Sequence, residues 1–153
     1  MPEVGDSAPD FTLPTDGGGE FKLSAQKGSP VVVYFYPKDD TSGCTKEAIA
    51  FTENLDAFKS AGAKIIGISP DTAAKHDKFI AKHGLKITLG ADEDKAVCEA
   101  YGVWVEKSMY GRKYMGVERA TFLVDGDGKI AQAWRKVKVP GHAEKVLAAV
   151  KEL

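Results

Sequence analysis

The chain has 153 residues, 28% of them charged, and a formal net charge of −1, with acidic and basic residues mixed along its length. This length fits one domain, predicted to span residues 1–153, and the balanced charge gives no footprint for nucleic acid. The longest apolar run, residues 31–36, is far shorter than the ~20 residues that cross a bilayer. Because the acidic, proline-bearing N-terminus is unlike a signal peptide, a cytoplasmic location is predicted, with no membrane partner.

Cysteine and histidine spacing predicts neither a disulfide scaffold nor a metal site. Cys44 and Cys98 lie 54 residues apart without a CxxC pair. His76, His83 and His142 lack the spacing of metal ligands, and each is interpreted as a surface residue of a helix. No metal or organic cofactor is predicted.

The first half of the chain predicts a hairpin, a buried strand and a helix. Residues 9–23 contain two short apolar segments around a glycine-rich turn, which is typical of a β-hairpin. The β-formers of residues 31–36 predict a strand buried on both faces, ended by Pro37. A helix then starts at Ser42 or Gly43 and runs to about residue 60. Its apolar stripe consists of Ala48, Phe51, Leu55 and Phe58.

The second half alternates strands and helices, as expected of an α/β protein with a central mixed sheet flanked by helices. A strand over 64–69 is predicted to pair in parallel with the first buried strand, because a helical crossover connects the two. Residues 103–118, with glycines at 111 and 116, are interpreted as irregular. The other predicted elements are a helix over 72–83 closed by Gly84, a strand over 87–89, a helix over 94–101, an antiparallel hairpin of 120–124 with 129–139, and a helix over 142–153.

The turn between the first buried strand and its helix carries the chemistry. Cys44 is predicted in the first helical turn, where backbone N–H groups and the positive end of the helix dipole favour an anion. We therefore expect the thiol to be partly or mostly thiolate at neutral pH. Fast chemistry at this sulfur also requires donors that hold the substrate and stabilise charge on the leaving group.

The segment YPKDDTSGCTKE resembles the peroxiredoxin pattern PxxxTxxC, here Pro37, Thr41 and Cys44. The resemblance extends from GDSAPDFTL through GVERATFLVDGDGKI, and YFYPKD and KSMYG are similar to the Q-type, bacterioferritin-comigratory-protein group. It implies a thioredoxin-like fold with an N-terminal hairpin and an antioxidant role in cell redox homeostasis. The implied activity is reduction of hydrogen peroxide and organic hydroperoxides. The implied state is a monomer, although the sequence does not exclude a dimer.

The resemblance also implies roles for individual residues. Cys44 would be the peroxidatic nucleophile, which becomes a sulfenic acid. Thr41 would hydrogen-bond the attacked or departing oxygen, and an N-cap role is compatible with this. Pro37 would shield the sulfur from water. Arg119 would stabilise the thiolate and the anionic transition state, with an ordinary salt bridge as the alternative. Glu47 would orient Arg119, and the alternative is an acidic residue favoured near the start of a helix.

In the group that this chain resembles, a resolving cysteine usually occupies one of two positions, and this chain has another residue at both. Five and 36 residues after Cys44 the chain has Ile49 and Ile80. Cys98 is interpreted as a small core residue, with a resolving role as the less favoured alternative. A single-cysteine cycle is therefore predicted, in which thioredoxin, glutaredoxin or a small thiol reduces Cys44 directly.

Two other functional classes stay open from the sequence. A thioredoxin-fold exchange protein would also have a cysteine at a helix start, but it normally needs CxxC. A binding or chaperone module without peroxidase activity would use residues 103–118. The polar segment KDDTSG before Cys44 further predicts that the start of this helix unwinds during the catalytic cycle.

Overall fold

The structure, a computed structural model, describes residues 2–153, and nine strands and five α-helices lie in that range. In chain order they are β1 (Thr12–Pro14), β2 (Glu20–Lys22), β3 (Val31–Phe35), α1 (Ser42–Glu53), α2 (Leu55–Ser60), β4 (Lys64–Ser69), α3 (Ala73–His83), β5 (Thr88–Ala91), α4 (Ala96–Ala100), β6 (Trp104–Met109), β7 (Arg112–Val117), β8 (Ala120–Val124), β9 (Ile130–Trp134) and α5 (His142–Lys151). None of the helices described is both long enough and apolar enough to span a membrane.

A five-stranded mixed sheet in the order β5-β4-β3-β8-β9 forms the centre of the molecule. β3 pairs in parallel with β4 and antiparallel with β8, and every residue of β3 is buried. β4 and β5 are also parallel, whereas β8 and β9 are antiparallel. The central position of β3 explains its uninterrupted apolar sequence, because both of its faces are covered. The predicted mixed sheet is confirmed, as is the N-terminal hairpin, formed by β1 and β2.

Two hydrophobic cores lie on opposite faces of this sheet. The hairpin core contains the odd-numbered residues of β3 together with Leu13 of β1 and Phe21 of β2. The helix core contains the even-numbered residues of β3 together with Phe51 of α1 and Val146 of α5. This division follows from the two-residue period of a strand, which sends successive side chains to opposite faces.

The helix that follows β3 is interrupted once. Its predicted apolar stripe is buried in the helix core, as expected. Asn54, with φ −96° and ψ 2°, separates α1 from α2, and its Nδ2 donates a hydrogen bond to the carbonyl of Ala50 at 2.8 Å. The predicted extent of the helix is therefore correct, but its continuity is not.

The helix after β4 begins and ends as predicted. Thr72 caps α3 by accepting a hydrogen bond from the backbone N–H of Lys75 at 3.1 Å. Gly84 ends it in the left-handed conformation, with φ 62°. A threonine cap and a glycine terminator are signals that act through local geometry, so they can be read from the sequence.

The interpretation of residues 103–118 as irregular is wrong, because β6 and β7 form an antiparallel hairpin with Met109 opposite Arg112. Tyr110 and Gly111 connect the strands with φ of 53° and 77°. Positive φ at both positions is characteristic of a type I′ turn, which Asn-Gly usually supplies. Because a tyrosine occupies the first position here, the sequence lacks the Asn-Gly pair that usually predicts this turn. The predicted strand 129–139 is also too long, since β9 ends at Trp134.

The interpretation of all three histidines as surface residues is wrong for two of them. His76 is 0% exposed on the inner face of α3, and His142 is 4% exposed at the start of α5. Nε2 of His142 lies 2.8 Å from Oγ1 of Thr121. Burial lowers the pKa of His142 to about 4, with smaller contributions from Lys145 and Arg119. Buried hydrogen-bond partners therefore decided the positions of these rings.

Candidate active site

Cys44 lies in the first turn of α1, as predicted, and its side chain is part of the helix core. The residue is only 2% exposed. The first backbone hydrogen bond of the helix joins the N–H of Thr45 to the carbonyl of Thr41 at 2.8 Å. The N–H groups of residues 42–44 therefore precede the regular helical ladder, and they place the positive end of the dipole at the thiol.

Arg119 immediately precedes β8 and contacts the sulfur directly. Its Nη2 donates to Sγ of Cys44 at 3.3 Å, and its Nη1 donates to Oε1 of Glu47 at 2.7 Å. Ala120 pairs with Phe35 at the end of β3, so the preceding arginine lies at the edge of the sheet where α1 begins. The antiparallel pairing of β3 and β8 thus brings the guanidinium to the helix start.

Glu47 lies one turn after Cys44, and its side chain is 1% exposed. Burial raises the pKa of Glu47 to about 7, although the charge and hydrogen bond of Arg119 act in the opposite direction. Oε2 of Glu47 has no hydrogen-bond partner within residues 2–153, and the same holds for the buried hydroxyl of Tyr34. Its Oε1 accepts the hydrogen bond of Nη1 and so holds one arm of the Arg119 guanidinium.

Thr41 occupies the N-cap position of α1 with an extended backbone, φ −92° and ψ 157°. Its hydroxyl donates to the carbonyl of Lys38 at 2.8 Å and makes no capping hydrogen bond to the helix. The side-chain cap considered from the sequence is therefore wrong, although the position is correct. The oxygen keeps its lone pairs as acceptors. Pro37 lies half-buried directly after Tyr36, at the end of β3.

Cys98 lies in the hairpin core, on the opposite face of the central sheet from Cys44. It is 0% exposed, and burial, followed by Asp92, raises the pKa of its thiol well above the usual range. The interpretation of Cys98 as a core residue is confirmed by this burial. Ile49 and Ile80 pack against the helix core instead. Neither cysteine forms a disulfide.

Two residues at the site were missed by sequence reasoning. A Cβ atom on Gly43 would lie 3.2 Å from Nη2 of Arg119, so glycine leaves space for the guanidinium to approach the sulfur. Lys107 of β6 is also near: partial burial and then Arg119 lower its pKa, while Cys44 and Glu118 act in the opposite direction. Gly43 is one of the two unspecified positions of the TxxC pattern, so the pattern gives no signal for it. Lys107 lies in residues 103–118, for which the sequence predicts no regular structure.

The arrangement places a buried thiol against a fixed cation and the free N–H groups of a helix start. All of these groups are positive or hydrogen-bond donating, so they favour negative charge on sulfur and on an oxygen bonded to it. Low exposure strengthens each of these interactions. Among the side chains of residues 2–153, no group of three or more His, Cys, Asp or Glu could hold a metal ion.

Comparisons with known sequences show the family of this chain. Residues 4–133 match the AhpC/TSA family. A putative peroxiredoxin bcp of Coxiella burnetii is 50% identical over 145 residues, which cover 95% of this chain and 96% of the relative. The peroxiredoxin Bcp of Bacillus subtilis is 46% identical over 151 residues, covering 99% and 96% of the two chains.

A solved structure has the same fold as this chain. It comes from a study of alkyl peroxide reduction by the bacterioferritin comigratory protein of Xanthomonas campestris. That protein superposes with a TM-score of 0.91 at 47% identity, covering 99% of this chain and 97% of the other. The thioredoxin-like fold predicted from the resemblance is thereby confirmed. The chain therefore belongs to the AhpC/TSA family and, within it, to the Bcp/PrxQ peroxiredoxins.

Proposed function

We propose that this protein is a thiol-dependent peroxidase that reduces hydrogen peroxide and organic hydroperoxides at Cys44. The observation that carries the proposal is the 3.3 Å hydrogen bond from Arg119 to the sulfur at the start of α1. A donor fixed at this distance stabilises a thiolate before the reaction and the departing oxygen during it. The Xanthomonas relative studied for alkyl peroxide reduction supports the inclusion of organic hydroperoxides among the substrates.

The chemical step is a two-electron transfer. The thiolate of Cys44 attacks one peroxide oxygen, the S–O bond forms and the O–O bond breaks. The second oxygen leaves with the bonding electrons and takes a proton to become water or an alcohol. Sulfur is oxidised to a sulfenic acid and the peroxide is reduced.

Three further residues position the reactants. The Thr41 hydroxyl, while donating to Lys38, accepts a hydrogen bond from the O–H of the peroxide. Pro37 shields the sulfur from water at the end of β3. Glu47 holds the guanidinium of Arg119 so that its second N–H group points at the sulfur. The hydrogen bonds of Arg119 support the role of Glu47, and the position of Thr41 and Pro37 in the turn before α1 supports theirs.

We propose a single-cysteine cycle with an external thiol as reductant. The thiol attacks the sulfenic sulfur, water leaves, and a second thiol releases reduced Cys44 from the mixed disulfide. The separation of Cys44 and Cys98 by the central sheet supports this cycle. Thioredoxin, glutaredoxin and small thiols all fit as reductants, and the cytoplasm maintains such thiols reduced. A monomer suffices, because one chain supplies every group named.

The test is an intact-mass time course of the reduced protein after one equivalent of hydrogen peroxide. A sulfenic-acid trap followed by peptide mapping locates the modified residue. We expect rapid trapping at Cys44 alone. A loss of two hydrogens with a Cys44–Cys98 link would replace the single-cysteine cycle by a two-cysteine one, and no reaction at Cys44 within minutes would overturn the peroxidase.

A further inference from the structure

The loop of residues 37–41, which precedes the helix of Cys44, is attached to α3 through two aspartates: the exposed Asp40, which contacts Lys82 and His83, and Asp39, whose side chain is buried. Oδ1 of Asp39 accepts a hydrogen bond from the hydroxyl of Tyr36 at 2.6 Å, and its Oδ2 lies 2.7 Å from Nδ1 of His76. The backbone N–H of Asp39 donates to Oδ2 of Asp71 at 2.8 Å. This aspartate is thus bonded to the residue that follows β3, to the inner face of α3 and to the turn after β4.

Both ring nitrogens of His76 face acceptors. Nε2 lies 2.9 Å from the carbonyl oxygen of Gly90 in β5, and Nδ1 faces the carboxylate of Asp39. A carbonyl oxygen cannot donate, and an ionised carboxylate only accepts, so both nitrogens must carry protons. His76, at 0% exposure, is therefore a buried imidazolium, and among residues 2–153 the one counter-charge within bonding distance is Asp39.

The surroundings of the ring agree with a cation. Burial opposes the charge, but the hydrogen bond and charge of Asp39 outweigh it, and Gly90 and Asp71 add to the effect, so the pKa of His76 is raised. The Tyr36 hydroxyl lies 3.4 Å from Nδ1. On the solvent side of α3, Lys75 contacts Asp71 at 4.0 Å, and its side chain is largely exposed.

The proposed cycle needs two states of this loop. With Cys44 2% exposed, the closed site holds the sulfur against Arg119, but an external thiol cannot reach it there. Opening of the turn before α1 would expose the sulfur, and it would also pull Asp39 away from His76. The Asp39–His76 contact therefore opposes opening by the free energy of a buried, charge-assisted hydrogen bond.

We infer that His76 is a positioning residue of the peroxidase: it holds Asp39, and through Asp39 the loop 37–41, in the closed conformation that seats Cys44 beside Arg119. The inference rests on the proposed function. It adds a proton-controlled latch, in which the protonated ring favours the closed, peroxide-reactive state and its deprotonation favours the open state that an external thiol can reach.

The direction of the pH effect follows from linkage. The ring of His76 binds its proton more tightly in the closed state, because the carboxylate of Asp39 lies beside it there and moves away in the open state. The latch is therefore fully present below the ordinary histidine pKa of ~6.5 and is lost as the pH rises through the raised closed-state value. Within that window, protection of the loop falls by up to about tenfold for each pH unit.

The experiment compares amide exchange of residues 41–47 in the reduced protein from pH 6 to pH 9, corrected for the intrinsic exchange rate. The test variant is Asp39→Ala/His76→Leu, which removes both charges together and so leaves no buried charge unpaired. The control is Asp40→Asn in the same loop. Asp40 binds the more exposed Lys82 and His83, and asparagine tolerates its φ of 60°.

In the wild type and in Asp40→Asn, protection falls as the pH rises. In the double variant, amide protection is already low at pH 6, and the part of its pH dependence that comes from His76 is lost. Any pH dependence that comes from Glu47 remains, because all three proteins keep that residue. A double variant with wild-type protection and wild-type pH dependence would overturn the latch.

Two rates provide a second readout at pH 6. In the double variant, oxidation of Cys44 by hydrogen peroxide slows at least threefold, and reduction of its sulfenic acid by glutathione speeds up at least threefold. The near-UV circular dichroism spectrum of the double variant must match that of the wild type, because general loss of structure would also expose the sulfur. Wild-type rates in a folded double variant would contradict the inference. Because exchange is measured without peroxide, a failure of the latch is distinguishable from a failure of the peroxidase, which appears as no oxidation of Cys44 in the wild type.

Discussion

Arg119 and Cys44 are 75 residues apart in sequence, and a hydrogen bond of 3.3 Å joins Nη2 of the arginine to Sγ of the cysteine. The other arm of the same guanidinium is held by Glu47 at 2.7 Å. A planar cation with two fixed donor directions is needed to make both contacts at once. The relationship therefore depends on the shape of arginine as well as on its charge.

Replacement of Arg119 by lysine should slow peroxide reduction about 100-fold, because an ammonium group cannot hold Glu47 and point a second donor at the sulfur. The measurement is the second-order rate constant with hydrogen peroxide by stopped flow at pH 7. The control is Arg135→Lys, since Arg135 bonds Glu118 and the carbonyl of Gly102 instead of the sulfur. A wild-type rate in Arg119→Lys would show that charge alone suffices.

Removal of each thiol should have different consequences. Cys44→Ser should abolish peroxidase activity, whereas Cys98→Ser and Cys98→Ala should keep a wild-type rate of Cys44 oxidation, because Cys98 lies across the sheet. Cys98→Ala should still lower the free energy of unfolding by about 1 kcal/mol through lost packing. Urea unfolding and the peroxide assay measure the two effects separately. Loss of turnover in both Cys98 variants despite intact folding would instead indicate a resolving role.

The ionisation of Glu47 should make stability fall with rising pH. Its pKa is raised from an ordinary 4.5 to about 7 by burial, so between these values the folded state holds a proton that the unfolded state has released. Stability from this group is present below pH 4.5 and is lost as the pH rises to about 7, by at most about 3 kcal/mol.

Glu47→Gln should remove this slope, since glutamine does not ionise. The measurement is the difference in free energy of unfolding between the wild type and Glu47→Gln at pH 4.5, 6 and 7.5. Taking the difference cancels the pH-dependent contribution of the exposed carboxylates, which is the same in both proteins. A constant difference across this range would mean that Glu47 stays ionised in the folded protein beside Arg119.

Gly67 of β4 should not tolerate even a methyl group. It pairs with Tyr34 of β3, and a Cβ atom would lie 2.6 Å from Cζ of that tyrosine. The ring cannot retreat freely, because it stacks on Phe51 of α1 with centroids 4.7 Å apart. Gly67→Ala should therefore destabilise the protein by about 3 kcal/mol in urea unfolding.

The matched control for this substitution is Gly126→Ala. A Cβ atom there meets its nearest neighbour, the backbone of Gly28, at an ordinary 3.5 Å. We expect a change within about 0.5 kcal/mol. Equal effects of the two substitutions would show that contact with Tyr34 is not the cause.

Much of this architecture follows from local sequence signals. The apolar run of β3, the cap and terminator of α3 and the stripe of α1 each depend on neighbouring residues, so their positions could be predicted. The hairpin β6–β7 could not, because Tyr110 occupies a turn position where asparagine is the usual signal. For the same reason Lys107 was not connected with the site.

The sequence by itself determined the family and the position of Cys44 in the first helical turn. It also showed isoleucines, Ile49 and Ile80, at the two positions where a resolving cysteine is usual. Only the tertiary structure decided which groups meet. Strand pairing carries Arg119 to the sulfur, and the two faces of the sheet separate Cys98 from it. The burial of His76 against Asp39 also depends on packing between distant segments. Local patterns specify elements, whereas contacts across a sheet depend on register and burial, which no single segment contains.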